Sequence, residues 1–152
     1  MSTISGYYQE DHDRLDALFL SFLKNQHEMI FEQAKNNFEE FQKGLLKHIV
    51  WEEEILFPFF ESKTNMHDAG PTAVMRFEHK QIKDLLGKIW NKVSALQAAN
   101  PQDEEAIKHI LNMHNMKGEN VLYPMIDKLS SEDEKNTIFQ KMNASQSSTC
   151  CA

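Results

Sequence analysis

A long part of the chain repeats apolar residues at helical spacing and interrupts that repeat with a histidine and a glutamate. Between residues 31 and 59 the apolar positions recur every three or four residues, which is the stripe of a helix that faces a core. His48 and Glu52 fall on this stripe, four residues apart, so they are neighbours on one helix face. Because an unpaired buried carboxylate is too costly to keep, Glu52 requires a cation or several hydrogen-bond donors. A metal ion is therefore the working hypothesis for this segment.

Length and composition favour one all-helical domain. A chain of 152 residues is long enough for a single well-filled core, and the scarcity of glycine (5) and proline (4) leaves long periodic segments uninterrupted. The net charge of -7 argues against nucleic acid or an anionic membrane as a main partner. No apolar run approaches the roughly 20 residues that a membrane-spanning helix needs. Whether the chain has a partner protein is left open by these features.

The two ends of the chain favour a cytoplasmic protein. The first six residues lack the apolar region of a signal peptide. Cys150 and Cys151 are adjacent at the C-terminus, where they cannot cross-link a fold, and they suit a reducing compartment. We interpret them as part of an exposed tail, and a redox or metal-handling tail is the alternative.

Apolar spacing predicts four long helices and a short fifth. The expected spans are residues 7–26, 28–61, 71–98, 101–129 and 131–142, so that residues 1–142 form one bundle and residues 143–152 a polar tail. Asn100 followed by Pro101 predicts the start of the fourth helix, and Ser131 with Glu134 predicts a capping box at the fifth. Pro58 is expected to kink or fray the second helix near its end. No internal repeat is apparent.

Each of the four long helices places one histidine on its core-facing line. These histidines are His12, His48, His79 and His114. A single core histidine is usually an ordinary hydrogen-bonded residue, but four in one bundle, two of them followed by an acid, indicate a shared site. The acids are Glu52 and Glu119. The remaining histidines are interpreted as structural or surface residues: His27, His67 and His109.

The spacing between His114 and Glu119 is unusual for a shared site. Glu119 comes five residues after His114, so an ideal helix turns it about 140° away. For both to face one centre, the helix must be locally wound out or the glutamate must reach round. Gly118 lies where such a distortion is cheapest, and π-bulges recur at functional sites.

The ligand types restrict the metal. Imidazole and carboxylate without thiolate argue against a structural zinc finger and against a copper–thiolate site. Four histidines and two acids exceed what one tetrahedral ion needs, whereas two ions bridged by two carboxylates use the whole set. Ligands that project inward from four facing helices are how carboxylate-bridged di-iron bundles are built.

These motifs, in this order, resemble those of the hemerythrin-like (HHE cation-binding) proteins over about residues 7–129. The matching segments are His12 in its acidic surroundings, His48-x3-Glu52 with Ile55-Leu-Phe-Pro58 after it, Glu78-His79, and His114-x4-Glu119 with Val121-Leu-Tyr-Pro124 after it. The resemblance implies an all-α, up-down-up-down four-helix bundle with a non-haem di-iron centre, oxo- or hydroxo-bridged.

The resemblance also implies a role for each candidate ligand. Glu52 and Glu119 would bridge the two irons. His12 and His48 would bind one iron, and His79 and His114 would bind the other. Manganese or a mixed metal pair is an alternative, because both accept this ligand set.

One departure from the family concerns the third helix, where oxygen-carrying hemerythrins have two histidines four residues apart. His79 has Met75 four residues before it and Lys83 four after it, so one histidine is missing in either register. A thioether is a poor ligand for a hard iron ion, and a protonated lysine is none. Glu53 and Glu54 are interpreted as solvated charges, and the alternative is that Glu53 reaches the site as a substitute ligand. This departure weakens reversible oxygen carriage more than iron binding.

Three functions follow. The first is the binding or sensing of a small oxidant, namely dioxygen, nitric oxide or peroxide. The second is an oxidoreductase that scavenges peroxide or nitric oxide, which an open metal position favours. The third is a metal-free helical interaction module whose core histidines are only hydrogen-bonded. The electron donor and the oligomeric state are left open.

Overall fold

The structure, a computed structural model, describes residues 3–67 and 69–149, and this part of the chain is all-helical, without a strand. Its helices are α1 (Ile4–His27), α2 (Phe31–Trp51), α3 (Phe57–Thr64), α4 (Pro71–Val93), α5 (Pro101–Lys117), α6 (Tyr123–Leu129) and α7 (Glu132–Thr149). Two π-helical segments, Glu52–Leu56 and Gly118–Leu122, continue α2 into α3 and α5 into α6. None of the described helices is long and apolar enough to cross a membrane.

The predicted helix starts are confirmed where capping residues are present. The Asn100 side chain accepts a hydrogen bond from the backbone of Gln102, 2.9 Å away, at the start of α5. At the start of α7 the backbone of Glu134 donates to Ser131 Oγ (3.1 Å), and the backbone of Ser131 donates to the Glu134 carboxylate (2.9 Å). This reciprocal pair is the capping box that the sequence predicts.

Several predicted helix features differ from the structure. α4 ends at Val93 rather than near residue 98, because Leu96 adopts a left-handed backbone (φ 59°) that stops the helix. Pro58 does not end the helix near its predicted kink. A π-helical segment lies before it, and Pro58 is in the first turn of α3, where its missing N–H is tolerated. α7 runs past its predicted end at residue 142 to Thr149. The division into a bundle (1–142) and a polar tail (143–152) stays a prediction. Cys150 and Cys151 lie outside the described residues.

Asp127 in α6 joins the end of the bundle to its beginning. Its carboxylate accepts hydrogen bonds from the backbone N–H groups of Ile4 (2.8 Å) and Ser5 (3.1 Å) at the start of α1. These are donors that a helix N-terminus leaves without an intrahelical partner. The first helix is thus held in place by a residue near the end of the sixth.

The core consists of two apolar clusters with a polar layer between them. One contains Leu15 and Ile82, and the other contains Tyr8 and Met75. Along α1, His12 lies between Tyr8 and Leu15, and on the other helices the core histidine likewise separates residues of one cluster from residues of the other. The four core histidines therefore form one layer across the bundle.

The bundle contains two similar halves that the sequence pattern does not reveal. α1 packs against α2 in the first half, and α4 packs against α5 in the second. In both halves the second helix passes through a π-helical segment into a short helix that carries a proline in its first turn. The structure therefore repeats an arrangement of helices that the sequence does not reveal as a repeat.

Candidate metal centre

The four core histidines meet at their Nε2 atoms. His12 Nε2 lies 3.2 Å from His48 Nε2, and His79 Nε2 lies 3.2 Å from His114 Nε2. All four imidazoles are buried, with at most 3% of each exposed. The site thus contains two histidine pairs, one contributed by each half of the bundle.

The Glu52 carboxylate lies between the two pairs. Its Oε1 atom is 3.4 Å from His48 Nε2, 3.3 Å from His79 Nε2 and 3.5 Å from His114 Nε2. Glu52 is fully buried at the start of the first π-helical segment. Ligand atoms of Glu52, His79 and His114 lie within 4.8 Å of one another, close enough to hold a metal ion together.

The outer nitrogen of each histidine meets a carboxylate from another helix. The four contacts from Nδ1 are His12 to Glu119 (2.9 Å), His48 to Asp11 (3.0 Å), His79 to Glu53 (2.7 Å) and His114 to Glu78 (3.0 Å). Because an ionised carboxylate only accepts, each Nδ1 carries the proton it donates. In its neutral form each imidazole then presents its Nε2 lone pair to the centre, the arrangement found for histidines that bind metals.

Five of the six sequence-predicted ligands therefore lie around one centre, and the sixth lies beside it. Glu119 contacts the outer nitrogen of His12, and 26% of its side chain is exposed. The second π-helical segment begins at Gly118, where the sequence predicts it, and brings Glu119 toward the site. The interpretation of Glu53 as a solvated charge is wrong, since its carboxylate binds His79, whereas Glu54 is exposed as expected.

Two carboxylates of the site were not assigned a role from the sequence. Asp11 and Glu78 each directly precede a core histidine but contact the histidine of the next helix. Adjacent residues on a helix differ by about 100° in direction, so such an acid faces the neighbouring helix rather than the core. An acid directly before a core histidine, as in Asp11-His12 and Glu78-His79, is the signal that could have identified them.

The two positions at which the missing histidine could have stood, Met75 and Lys83, differ in burial. Met75 is fully buried in the apolar cluster, whereas Lys83 is exposed. Met75 therefore occupies the core position one helical turn before His79, and a thioether stands where a second imidazole was expected.

Two tyrosines adjoin the His12–His48 pair. Tyr123 donates a hydrogen bond from its hydroxyl to Glu52 Oε2 (3.1 Å), and the same hydroxyl lies 3.4 Å from His48 Nε2. Tyr8 stacks on Tyr123 with ring centroids 4.4 Å apart, and its buried hydroxyl has no hydrogen-bond partner among the described residues. Tyr8 is thus a packed tyrosine.

Burial and hydrogen bonding act in opposite directions on the charges of the site. Burial opposes ionisation of Glu52, but hydrogen bonds from His114 and His79 outweigh it and hold the pKa of Glu52 well below its usual value. Burial likewise disfavours the charged form of His114, yet Glu52 and Glu78 raise its pKa to about 9. Burial and the proximity of His48 lower the pKa of His12. Without a metal, a proton on His114 therefore supplies part of the positive charge.

The residues of this centre fit metal ions. Two nitrogens bound to one ion at about 2.1 Å, at roughly 90–110° to each other, are about 3.0–3.4 Å apart, which matches the 3.2 Å separation in both pairs. Two lone pairs that face each other at this distance repel unless a proton or a cation lies beside them. Five carboxylates surround the four imidazoles, and Asp11 and Glu78 also bind Arg14 and Lys117. Glu52 is fully buried, so its charge requires protonated imidazoles or a metal ion.

A groove leads from the surface to one side of the centre. It has a volume of about 620 Å³, lies between α1 and α5, and has His12 and Glu119 among its lining residues. Its walls combine apolar side chains such as Leu20 and Met116 with polar ones such as Asn115. A small molecule can therefore approach the His12 side of the centre from solvent.

The affinity of the metal-free protein for Co²⁺ is expected to rise with pH between about 6.5 and 9, by up to about tenfold per pH unit. The pKa of His114 is raised from 6.5 to about 9, so a metal ion must displace its Nε2 proton throughout this range. By the same linkage, the stability that this proton gives the metal-free protein is complete below pH 6.5 and is lost as the pH rises through 9. Chelator competition at several pH values measures the slope, and a flat profile contradicts the assignment.

The described residues form an all-helical domain with a buried Glu/His/His group that can hold a metal ion. These features are typical of helical cation-binding proteins. The hemerythrin HHE cation binding domain matches residues 3–126, and the chain therefore belongs to this family. This confirms the resemblance seen in the sequence motifs. No curated protein and no solved structure matches the chain.

Proposed function

We propose that the protein is a hemerythrin-like, non-haem di-iron protein that binds or senses a small oxidant (dioxygen, nitric oxide or peroxide) in the cytoplasm. The observation that carries this proposal is the meeting of four imidazole Nε2 atoms in two pairs, three of them in contact with the Glu52 carboxylate, with a carboxylate behind every imidazole. Such outer partners orient a histidine and increase its basicity toward a metal. The long helices would run up-down-up-down, with α7 as the extra helix.

The proposed ligand set has the six residues implied by the family resemblance. His12 and His48 would hold one ion, His79 and His114 the other, and Glu52 would bridge them. Glu119 would become the second bridge once its side chain turns from His12 Nδ1 toward the centre. Its partial exposure leaves room for this movement. A manganese or mixed pair satisfies the same ligands.

When bound, a pair of ferrous ions supplies two electrons to a small oxidant. The chain contributes the access groove beside His12 and Glu119 and an apolar surrounding that limits water. The buried Met75 favours a second candidate function, an oxidoreductase that scavenges peroxide or nitric oxide. With methionine in place of a histidine, one metal position stays available for exchange of substrate and product.

Metal analysis and optical spectra of anaerobic, iron-loaded protein test the proposal. We expect about two irons per chain, consistent with the two histidine pairs, and new near-ultraviolet and visible bands when dioxygen or nitric oxide is added. Substoichiometric iron, or spectra that neither gas changes, would contradict it. Steady-state consumption of peroxide or nitric oxide with a reductant present distinguishes the enzyme from the binding protein.

A further inference from the structure

The two halves of the bundle differ beside the metal centre. The first π-helical segment begins with Glu52, and the second begins with Gly118. The short helices that follow begin with Phe57 in the first half and Tyr123 in the second. A carboxylate and a phenylalanine in one half are therefore matched by a glycine and a tyrosine in the other.

Gly118 leaves a space that the ring of Tyr123 fills. A Cβ atom at position 118 would lie 2.7 Å from the Tyr123 ring atoms Cε2 and Cζ and 2.9 Å from its hydroxyl, closer than real side chains approach. Phe57 lies differently, since its ring stacks on His79 with centroids 5.5 Å apart. The tyrosine thus occupies the place that a side chain at position 118 would need, and its hydroxyl enters the centre from the second half.

The hydroxyl of Tyr123 and the histidines contact different oxygens of the Glu52 carboxylate. Glu52 Oε1 faces three imidazoles, while Glu52 Oε2 accepts the hydrogen bond from Tyr123 at 3.1 Å. Contacts on both oxygens fix the plane of the carboxylate. Tyr123 is itself fully buried, so water does not compete for this bond.

We propose that Tyr123 is a positioning residue of the metal centre, which orients Glu52 and makes the two metal positions chemically unequal. The position beside His12 and His48 has a phenol next to it, whereas the position beside His79 has the ring of Phe57. This inference rests on the proposed function, because it requires that Glu52 binds metal. It predicts two binding steps of different affinity.

Tyr123→Phe and Tyr8→Phe form a matched pair for the test. Each removes one oxygen atom from a fully buried ring, and the two rings stack on each other. Only the Tyr123 hydroxyl binds Glu52, because the Tyr8 hydroxyl has no partner in the described part of the chain. Gly118→Ala is a second variant, since its Cβ displaces the Tyr123 ring.

Co²⁺ titration of the metal-free full chain, followed by visible d–d absorption, gives affinity and ligand geometry together. Loss of an outer partner lowers metal affinity about 10–100-fold, so we expect this loss and shifted bands for Tyr123→Phe and Gly118→Ala. Tyr8→Phe is expected to match the wild type. Circular dichroism and urea denaturation without metal show that each variant is folded.

Two results would overturn the inference while leaving the proposed function intact. One is wild-type Co²⁺ binding by Tyr123→Phe, and the other is an equal loss in Tyr8→Phe, which would show that ring packing alone matters. A wild-type protein that binds neither Co²⁺ nor Fe²⁺ overturns the proposed function and this inference together.

Discussion

Glu52→Gln is expected to lower the affinity for iron by at least about 100-fold and to leave the helical fold in place. The amide has the same shape but no charge, and it would stand between two histidine pairs that need an anion to hold two cations. In the metal-free variant the pKa of His114 should fall from about 9, since Glu52 is the first of the partners that raise it. Iron content measures the first effect, and NMR titration of the imidazoles measures the second.

Glu54→Gln is the control for this experiment. It makes the same change two residues later in the same π-helical segment, at an exposed side chain. Equal iron content in the two variants would show that the charge of Glu52 is not needed. Loss of helical structure in Glu52→Gln alone would indicate a structural role for its contacts instead.

Anaerobic addition of Fe²⁺ at about a thousandfold excess over its dissociation constant is expected to raise the melting temperature by roughly 15–30 °C, since both proposed metal positions fill. Binding to the native state alone contributes about 4 kcal/mol per site at this excess. For a chain of this size, each kcal/mol corresponds to about 2–4 °C. Melting curves followed by circular dichroism, with and without a chelator, measure the shift.

Ca²⁺ provides the comparison ion, because it prefers six to eight oxygen ligands and does not suit a centre built on imidazoles. It is expected to leave the melting temperature unchanged. If Fe²⁺, Mn²⁺ and Co²⁺ are equally without effect, the metal-free interaction module becomes the better explanation.

Helices could be predicted from the sequence wherever burial and capping act together. Asn100 and Ser131 satisfy exposed backbone donors at helix starts, so these boundaries are local properties. The end of α4 could not be predicted, because Leu96 continues the apolar spacing yet has a left-handed backbone and is 42% exposed. There the packing of the turn overrides the periodic pattern.

The candidate site could be predicted in part for a similar reason. Glu119 is out of phase with His114 on an ideal helix, and this mismatch pointed to the π-helical segment at Gly118. The matching segment at Glu52 gave no such signal, because His48 and Glu52 are already in phase. The carboxylates behind the histidines depend on how neighbouring helices face each other, which spacing along one helix does not determine.

The hydrogen bonds of Asp127 and Glu119 constrain when the protein can mature during synthesis. Asp127 caps the start of α1 across 123 positions of sequence, and Glu119 contacts His12 across 107. A ribosome-bound chain that has released only α1 to α4 therefore lacks the Asp127 hydrogen bonds at the start of α1, where only the Thr3 side chain accepts from the Gly6 backbone, and it has three of the four core histidines. Because domains with such distant contacts close late, the histidine layer is completed only after α5 and α6 have emerged.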